Sequence, residues 1–252
     1  MARSRSASRP NFRDEAFVLR SHKLGEADLI LVLLTREHGL VRGVAKGIRK
    51  TRSRFGARLD RFSRVNVQLY PGRSLHSIAD AATVATYAPA LVADVDLYMA
   101  GSAALEVAQV FATEPGLAED IFLFLDATLR LLADPHHGGV PPVNVVDRFV
   151  LQGLELSGWA PSLVDCAQCG KKGPHRAFHP KAGGAVCVTC RPPGAFIPPP
   201  QAVRALWLLE RGRMEAAAEA LGDREVSAVA HELLVAHVRQ QVEVACQAYA
   251  AL

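Results

Sequence analysis

No stretch of this sequence is long and apolar enough to cross a bilayer: the longest uninterrupted apolar run, Leu29 to Leu34, falls far short of the ~20 residues a membrane helix needs. The start also lacks the apolar segment and small-residue cleavage site of a secretory leader. The Arg- and Ser-rich stretch from Met1 to Arg13 is expected to be a disordered basic lead. There is no G-x-x-x-x-G-K-[ST] motif; in Gly43-Val-Ala-Lys46-Gly47 the spacing is wrong and the lysine precedes its glycine, which excludes a P-loop ATPase. No G-x-S-x-G elbow offers a hydrolase nucleophile. His231-Glu232 begins like a zinc-protease helix, but the second histidine should stand where Val235 is, and His237 is two places too far along to share the face. The chain has no internal repeat, and 50% hydrophobic with 21% charged residues rules out low-complexity disorder for most of it. Its 252 residues suffice for two or three folded units.

What is present is unevenly distributed. Residues 1–85 carry 17 Lys and Arg against 7 Asp and Glu, a net of +10, whereas residues 86–252 carry 12 against 18, a net of −6. Such asymmetry points to a polyanion-binding N-terminal part. The excess concentrates between Arg42 and Arg64, where Arg42, Lys46, Arg49, Lys50, Arg52, Arg54, Arg58, Arg61 and Arg64 are opposed only by Asp60. Gly47, Ser53 and Gly56 suggest a mobile loop. Clustered cations gain affinity for phosphate backbones by releasing counterions, and Phe55, Phe62 and Tyr70 are the nearby rings that could stack on bases. For Phe62 and Tyr70 a place in the core is the preferred reading. The DNA-contacting set is assigned to Arg42, Lys46, Arg49, Lys50, Arg52 and Arg54.

Short runs rich in Val, Ile and Leu predict strands at Glu15 to Arg20, Asp28 to Thr35, Gly39 to Lys46, Val65 to Tyr70 and Leu75 to Ala81, separated by turn residues. Five short strands with one long break after the third suit a small closed barrel, the layout of an OB-fold. From about Leu91 the apolar spacing becomes helical. Helices are expected over Val95 to Thr113, Leu117 to Ala133, Val143 to Ser157, Gln201 to Gly212 and Glu225 to Tyr249. The fold class is therefore α+β: an OB-fold barrel (1–85), then a helical domain in two parts (86–160 and 196–252) interrupted by a segment without periodicity (161–195).

That segment holds four of the five cysteines as Cys166-x-x-Cys169, then seventeen residues, then Cys187-x-x-Cys190. Two CxxC pairs can present four thiolates to one ion at ~2.3 Å, and zinc is the expected metal, one ion per chain. A shell of four thiolates has no open position for water or substrate, so the role is structural, stabilising a segment that cannot build its own core. His175 and His179 lie between the pairs and are read as loop residues, and His136-His137 is given no role. Cys246 falls on an apolar helical pattern and is read as a small hydrophobe.

Glu15-Ala-Phe-Val-Leu-Arg20, Gly25-Glu-Ala-Asp28, Leu33-Leu-Thr35, Val44-Ala-Lys-Gly47, Ser53-Arg-Phe-Gly56 and Leu69-Tyr-Pro-Gly72 together resemble the N-terminal domain of the bacterial DNA repair protein family RecO. The cysteine segment follows Gly158-Trp-Ala-Pro161, as in metal-containing members, and the resemblance runs from about residue 13 to about residue 245. Two positions depart from the family's habit: Leu29 stands where a cation is frequent, and Asp60-Arg61 where Glu-Pro is common. The resemblance implies a non-enzymatic recombination mediator in DNA repair. Such a protein binds single- and double-stranded DNA and anneals complementary strands. It binds the tail of the single-stranded DNA-binding protein and, with RecR, helps load RecA; its place is the cytoplasm, at the nucleoid. A zinc-stabilised scaffold that binds only proteins, and a nucleic-acid-processing enzyme with an unrecognised site, are the alternatives. The N-terminal charge stands against the first, and the saturated metal shell and absent nucleotide motif against the second.

Overall fold

The computed structural model describes residues 10–242 and 246–252. Most of the expected basic lead, residues 1–9, lies outside the described residues, as do residues 243–245 of the expected last helix.

Five strands, β1 (Phe12–Leu24), β2 (Asp28–Thr35), β3 (Gly39–Ala45), β4 (Ser63–Tyr70) and β5 (His76–Thr86), form a closed barrel in the order β1-β2-β3-β5-β4, with β4 returning to β1. The β3–β5 pairing is parallel and the others antiparallel. This is the OB-type arrangement expected from the sequence. Strand β4 shows the period-two logic most clearly: Ser63, Val65, Val67 and Leu69 are buried while the residues between them face outward. In β1 the run Ala16 to Leu19 is buried on both faces, because Ala16 and Val18 fill the barrel and Phe17 and Leu19 meet the helices. Closure between β3 and β5 rests on two pairs, Gly43 with His76 and Val44 with Ser77. A Cβ at Gly43 would lie 2.8 Å from Ile78 Cγ1, so the absence of a side chain lets these strands approach.

After the barrel come α1 (Ala88–Leu91), α2 (Val95–Phe111), α3 (Ala118–Ala133) and α4 (Pro142–Leu156); after the cysteine segment come α5 (Pro200–Glu210), α6 (Met214–Leu221) and α7 (Arg224–Gln241). Asp94 caps α2 by accepting from the N–H groups of Asp96 and Leu97, and Asp223 caps α7 through Glu225 N–H. The last expected helix therefore ends early: α7 stops at Gln241, and the chain re-enters the core with Tyr249 in a short 3-10 turn, Tyr249–Ala251. The core is continuous across both parts. Phe17, Leu19, Leu34 and Phe62 of the barrel join the helical core, Phe17 packing on Phe122 with ring centroids 5.0 Å apart. Beside this contact Arg64 bridges Glu15 of β1, at 2.7 Å, and Asp126 of α3, at 3.0 Å, while Tyr87 donates its hydroxyl proton to the same Asp126.

The cysteine segment sits between α4 and α5 as a small hairpin, β6 (Ala177–His179) and β7 (Gly184–Val186). It has its own minute apolar cluster of Cys166, Ala177, Val186 and Cys187. Phe178 is fully buried and anchors the hairpin to the helical core, its ring 6.4 Å from that of His237.

Candidate nucleic-acid interface and metal centre

The basic stretch after β3 is a folded loop. Asp28 accepts the N–H of Gly47 at 2.7 Å and Ala27 O accepts that of Arg49, which fixes the loop's start to the β1–β2 turn. Phe55 and Leu59 are buried in the barrel core, where β3 has ended and β5 continues. Phe62, at a positive φ of 64°, points the other way, edge-on to Tyr98 of α2. Phe55 is thus a plug and not a surface for bases, and Phe62 is in the core as expected. Tyr70 is not: it alternates outward at the end of β4 and is 48% exposed, which corrects its assignment to the core.

The six assigned cations, Arg42, Lys46, Arg49, Lys50, Arg52 and Arg54, are all exposed. Two of them also hold the loop: Arg49 donates to Glu26 O at 2.9 Å, and Arg54 donates to Ile78 O at 3.2 Å with its guanidinium over the Phe55 ring. Arg42, Lys46, Lys50 and Arg52 make no side-chain hydrogen bond or ion pair among the described residues. The remaining cations of the stretch are engaged elsewhere. Arg58 bonds the carbonyls of Arg54 and Ala81, Arg61 bonds the Tyr98 hydroxyl, and Arg64 is in the ion pairs described above.

Register extends this surface across the barrel. Arg20, Val32 and Arg42 stand opposite one another on β1, β2 and β3, and His22, Ile30 and Val44 form the next row. The first row sets half-buried Val32 between two cations, the second sets exposed His22 beside half-buried Ile30 and Val44, and neither contains an exposed Phe, Tyr or Trp. Arg20 was missed in the sequence; its signal is the strand alternation that puts it on the face of Arg42, although Glu106 of α2 shares it at 3.8 Å. Leu29, where the family often has a cation, packs against the barrel core and leaves this face unchanged.

The structure brings all four predicted metal ligands together. The sulfurs of Cys166, Cys169, Cys187 and Cys190 lie within 4.8 Å of one another, with Cys169 and Cys187 3.9 Å apart. Four thiolates at ~2.3 Å around one tetrahedral ion would be separated by about 3.8 Å, so the set fits such an ion. Backbone N–H groups prepare it: that of Cys187 points at Cys166 Sγ, 3.4 Å away, and holds this thiol down to about 6. Hydrogen bonding with the neighbouring sulfurs of Cys169 and Cys187 pushes Cys190 up to about 12, and it is this proton that a divalent cation at the centre would displace. His175 bonds Lys171 O and His179 accepts the Ala182 N–H, so neither belongs to the cluster. Cys246 is buried in the helical core, where burial and the charge of Glu106 push its thiol up to about 11. No described helix is long and apolar enough to cross a membrane.

Two family matches span nearly the whole chain. Residues 9–87, the barrel and its basic loop, match the recombination protein O N-terminal family, and residues 92–247, the helices with the cysteine module, match the recombination protein O C-terminal family. In the same order in which the barrel, the loop and the helices are built, the two matches show that this chain belongs to the recombination protein O family, the RecO mediators of DNA repair and recombination.

Proposed function

We propose that the protein binds DNA through Arg42, Lys46, Arg49, Lys50, Arg52 and Arg54, anneals complementary strands without ATP, and with RecR helps load RecA onto strands coated with the single-stranded DNA-binding protein. The observation that carries this reading is the exposed set of Arg42 on β3 and Lys46, Lys50 and Arg52 on the loop that follows, a loop whose apolar residues anchor it to the barrel. Two complementary strands repel through their phosphates, and a surface that neutralises both lowers the barrier to their meeting. The free energy comes from the base pairs formed, so no nucleotide is consumed. The acidic tail of the single-stranded DNA-binding protein is assigned to the helical domain. The ion at the four cysteines is zinc, one per chain. It supplies cross-linking energy to the hairpin and takes no part in DNA chemistry, because four thiolates close its shell.

The test is a fluorescence-quenching annealing time course with complementary oligonucleotides, bare or coated with the single-stranded DNA-binding protein, with and without ATP. The expected result is acceleration over the protein-free control that is indifferent to ATP. A rate equal to the control, or one that requires ATP hydrolysis, overturns the annealing reading and favours a scaffold that binds only proteins.

A further inference from the structure

With Phe55 and Phe62 buried, the loop has no ring to offer a base, yet one ring arrangement at the barrel surface is built as a platform. His38, in the β2–β3 turn, lies flat on Phe12 with ring centroids 4.0 Å apart and planes 26° apart. Its Nδ1 is 2.7 Å from Asp14 Oδ2, and the same buried carboxylate accepts the N–H groups of Glu37 and His38. The imidazole is thus fixed from below by Phe12 and along one edge by Asp14, while its side chain remains 42% exposed and no second ring packs on it among the described residues. His76 meets Phe12 edge-on at 5.7 Å. His76 pairs with Gly43 of β3, so these rings sit where β3 and β5 close the barrel.

We propose that His38, held flat on Phe12, is a stacking platform for one unpaired base of single-stranded DNA. The inference rests on the DNA-binding reading above and adds a strand preference to it. Exposed histidines are ordinarily free to rotate, so an exposed ring held on two sides loses little further entropy when a flat ligand covers it. A base in single-stranded DNA has an open π-face, whereas a base within a duplex is already stacked above and below. The platform therefore discriminates single strands from duplexes, a distinction that the phosphate contacts of the loop do not make.

The test compares wild type, His38→Ala and His38→Phe for binding of a single-stranded oligonucleotide containing 2-aminopurine and of a duplex of equal length, at fixed salt, with thermal melts as the check on folding. Stacking on an aromatic side chain is worth enough to predict a fall in single-strand affinity of about fivefold to tenfold for the alanine variant. That fall should come with loss of 2-aminopurine quenching and less than twofold change for the duplex. His38→Phe, which cannot donate to Asp14 but keeps a flat ring, should recover both affinity and quenching. Equal losses for single strand and duplex, an alanine variant that binds single strands as wild type does, or failure of phenylalanine to recover the quenching each overturn the platform. A wild-type protein that binds neither form of DNA removes the DNA-binding reading itself, which is a different result.

Discussion

The structure changes which residues should be reversed to test the proposed DNA surface. Reversing Arg49 or Arg54 would also cut the hydrogen bonds to Glu26 O and Ile78 O that pin the loop, so a loss of binding would not separate charge from folding. Lys46, Lys50 and Arg52 make no side-chain hydrogen bond or ion pair among the described residues, so the triple change Lys46→Glu, Lys50→Glu, Arg52→Glu alters charge and cuts none of these contacts. If each of the six exposed cations neutralises one phosphate of a single strand, the slope of log K against log salt should be about −4, at roughly −0.7 per contact. Removing three contacts should bring it to about −2. Raising the salt fourfold should then weaken the wild type ~300-fold but the variant only ~20-fold. Fluorescence anisotropy with a labelled oligonucleotide, titrated at four or five salt concentrations, measures both slopes. An unchanged slope in a variant with wild-type melting behaviour would refute the argument, because counterion release cannot be insensitive to removal of the charges that cause it.

Two further predictions concern the fold that supports this surface. Cys166→Ser should abolish retention of the metal and destabilise the hairpin, with metal analysis and protease resistance near residues 161–195 as the readouts; full metal occupancy in the variant would contradict a four-thiolate site. In the helical core, Asp147 is fully buried and accepts from Tyr249 O–H at 2.6 Å, His231 Nδ1–H at 2.8 Å and Asn144 at 2.7 Å. Burial lowers the tendency of His231 to hold its proton, but the hydrogen bond and charge of Asp147 outweigh this, so its folded pKa lies above the unfolded value near 6.5. That contribution is fully present below pH ~6.5 and is lost as pH rises through the folded value. The stability difference between wild type and His231→Gln in urea unfolding should accordingly be larger at pH 6 than at pH 8.5, while Tyr249→Phe should cost about 1–2 kcal/mol through the lost hydrogen bond to a buried carboxylate.

The barrel was legible because its strands are marked by β-branched and aliphatic runs and its turns by Gly25, Gly39 and Pro71-Gly72. The errors lie where that marking stops. β1 continues through Ser21, His22 and Lys23, and β5 through Ala82 to Thr86, because ladder hydrogen bonds persist on residues that bury little. Helix α6, Met214–Leu221, went unread because its apolar face is short and half alanine: Met214, Ala217, Ala218 and Leu221, at i, i+3, i+4 and i+7, pack on the core. The single helix expected from Glu225 to Tyr249 looked continuous since Tyr249 lies on a plausible helical spacing. In fact Glu106 of α2 accepts the N–H groups of Ala248 and Tyr249 and turns the chain inward, a contact between residues too distant in sequence for any local pattern to carry.

The two parts of the candidate site differ in legibility for a physical reason. Four cysteines in two CxxC pairs have one economical arrangement, and the spacing alone nearly fixes it. A basic stretch specifies only that charge is present, since cations act over a Debye length and need no particular orientation. What the sequence cannot separate is which aromatic residues anchor the stretch and which remain outside. Phe55 and Phe62 each follow an arginine in the same stretch, yet Phe55 fills the barrel and Phe62 enters the helical core, while Tyr70 faces solvent because it alternates outward at the end of β4. The rings that do reach the surface together, Phe12, His38 and His76, are far apart in the chain and meet only because β1, the β2–β3 turn and β5 converge on barrel closure. The buried phenylalanines and the exposed cations are therefore one device: the loop can display Lys46, Lys50 and Arg52 outward beside Arg42 of β3 because Phe55 and Leu59 are held inside.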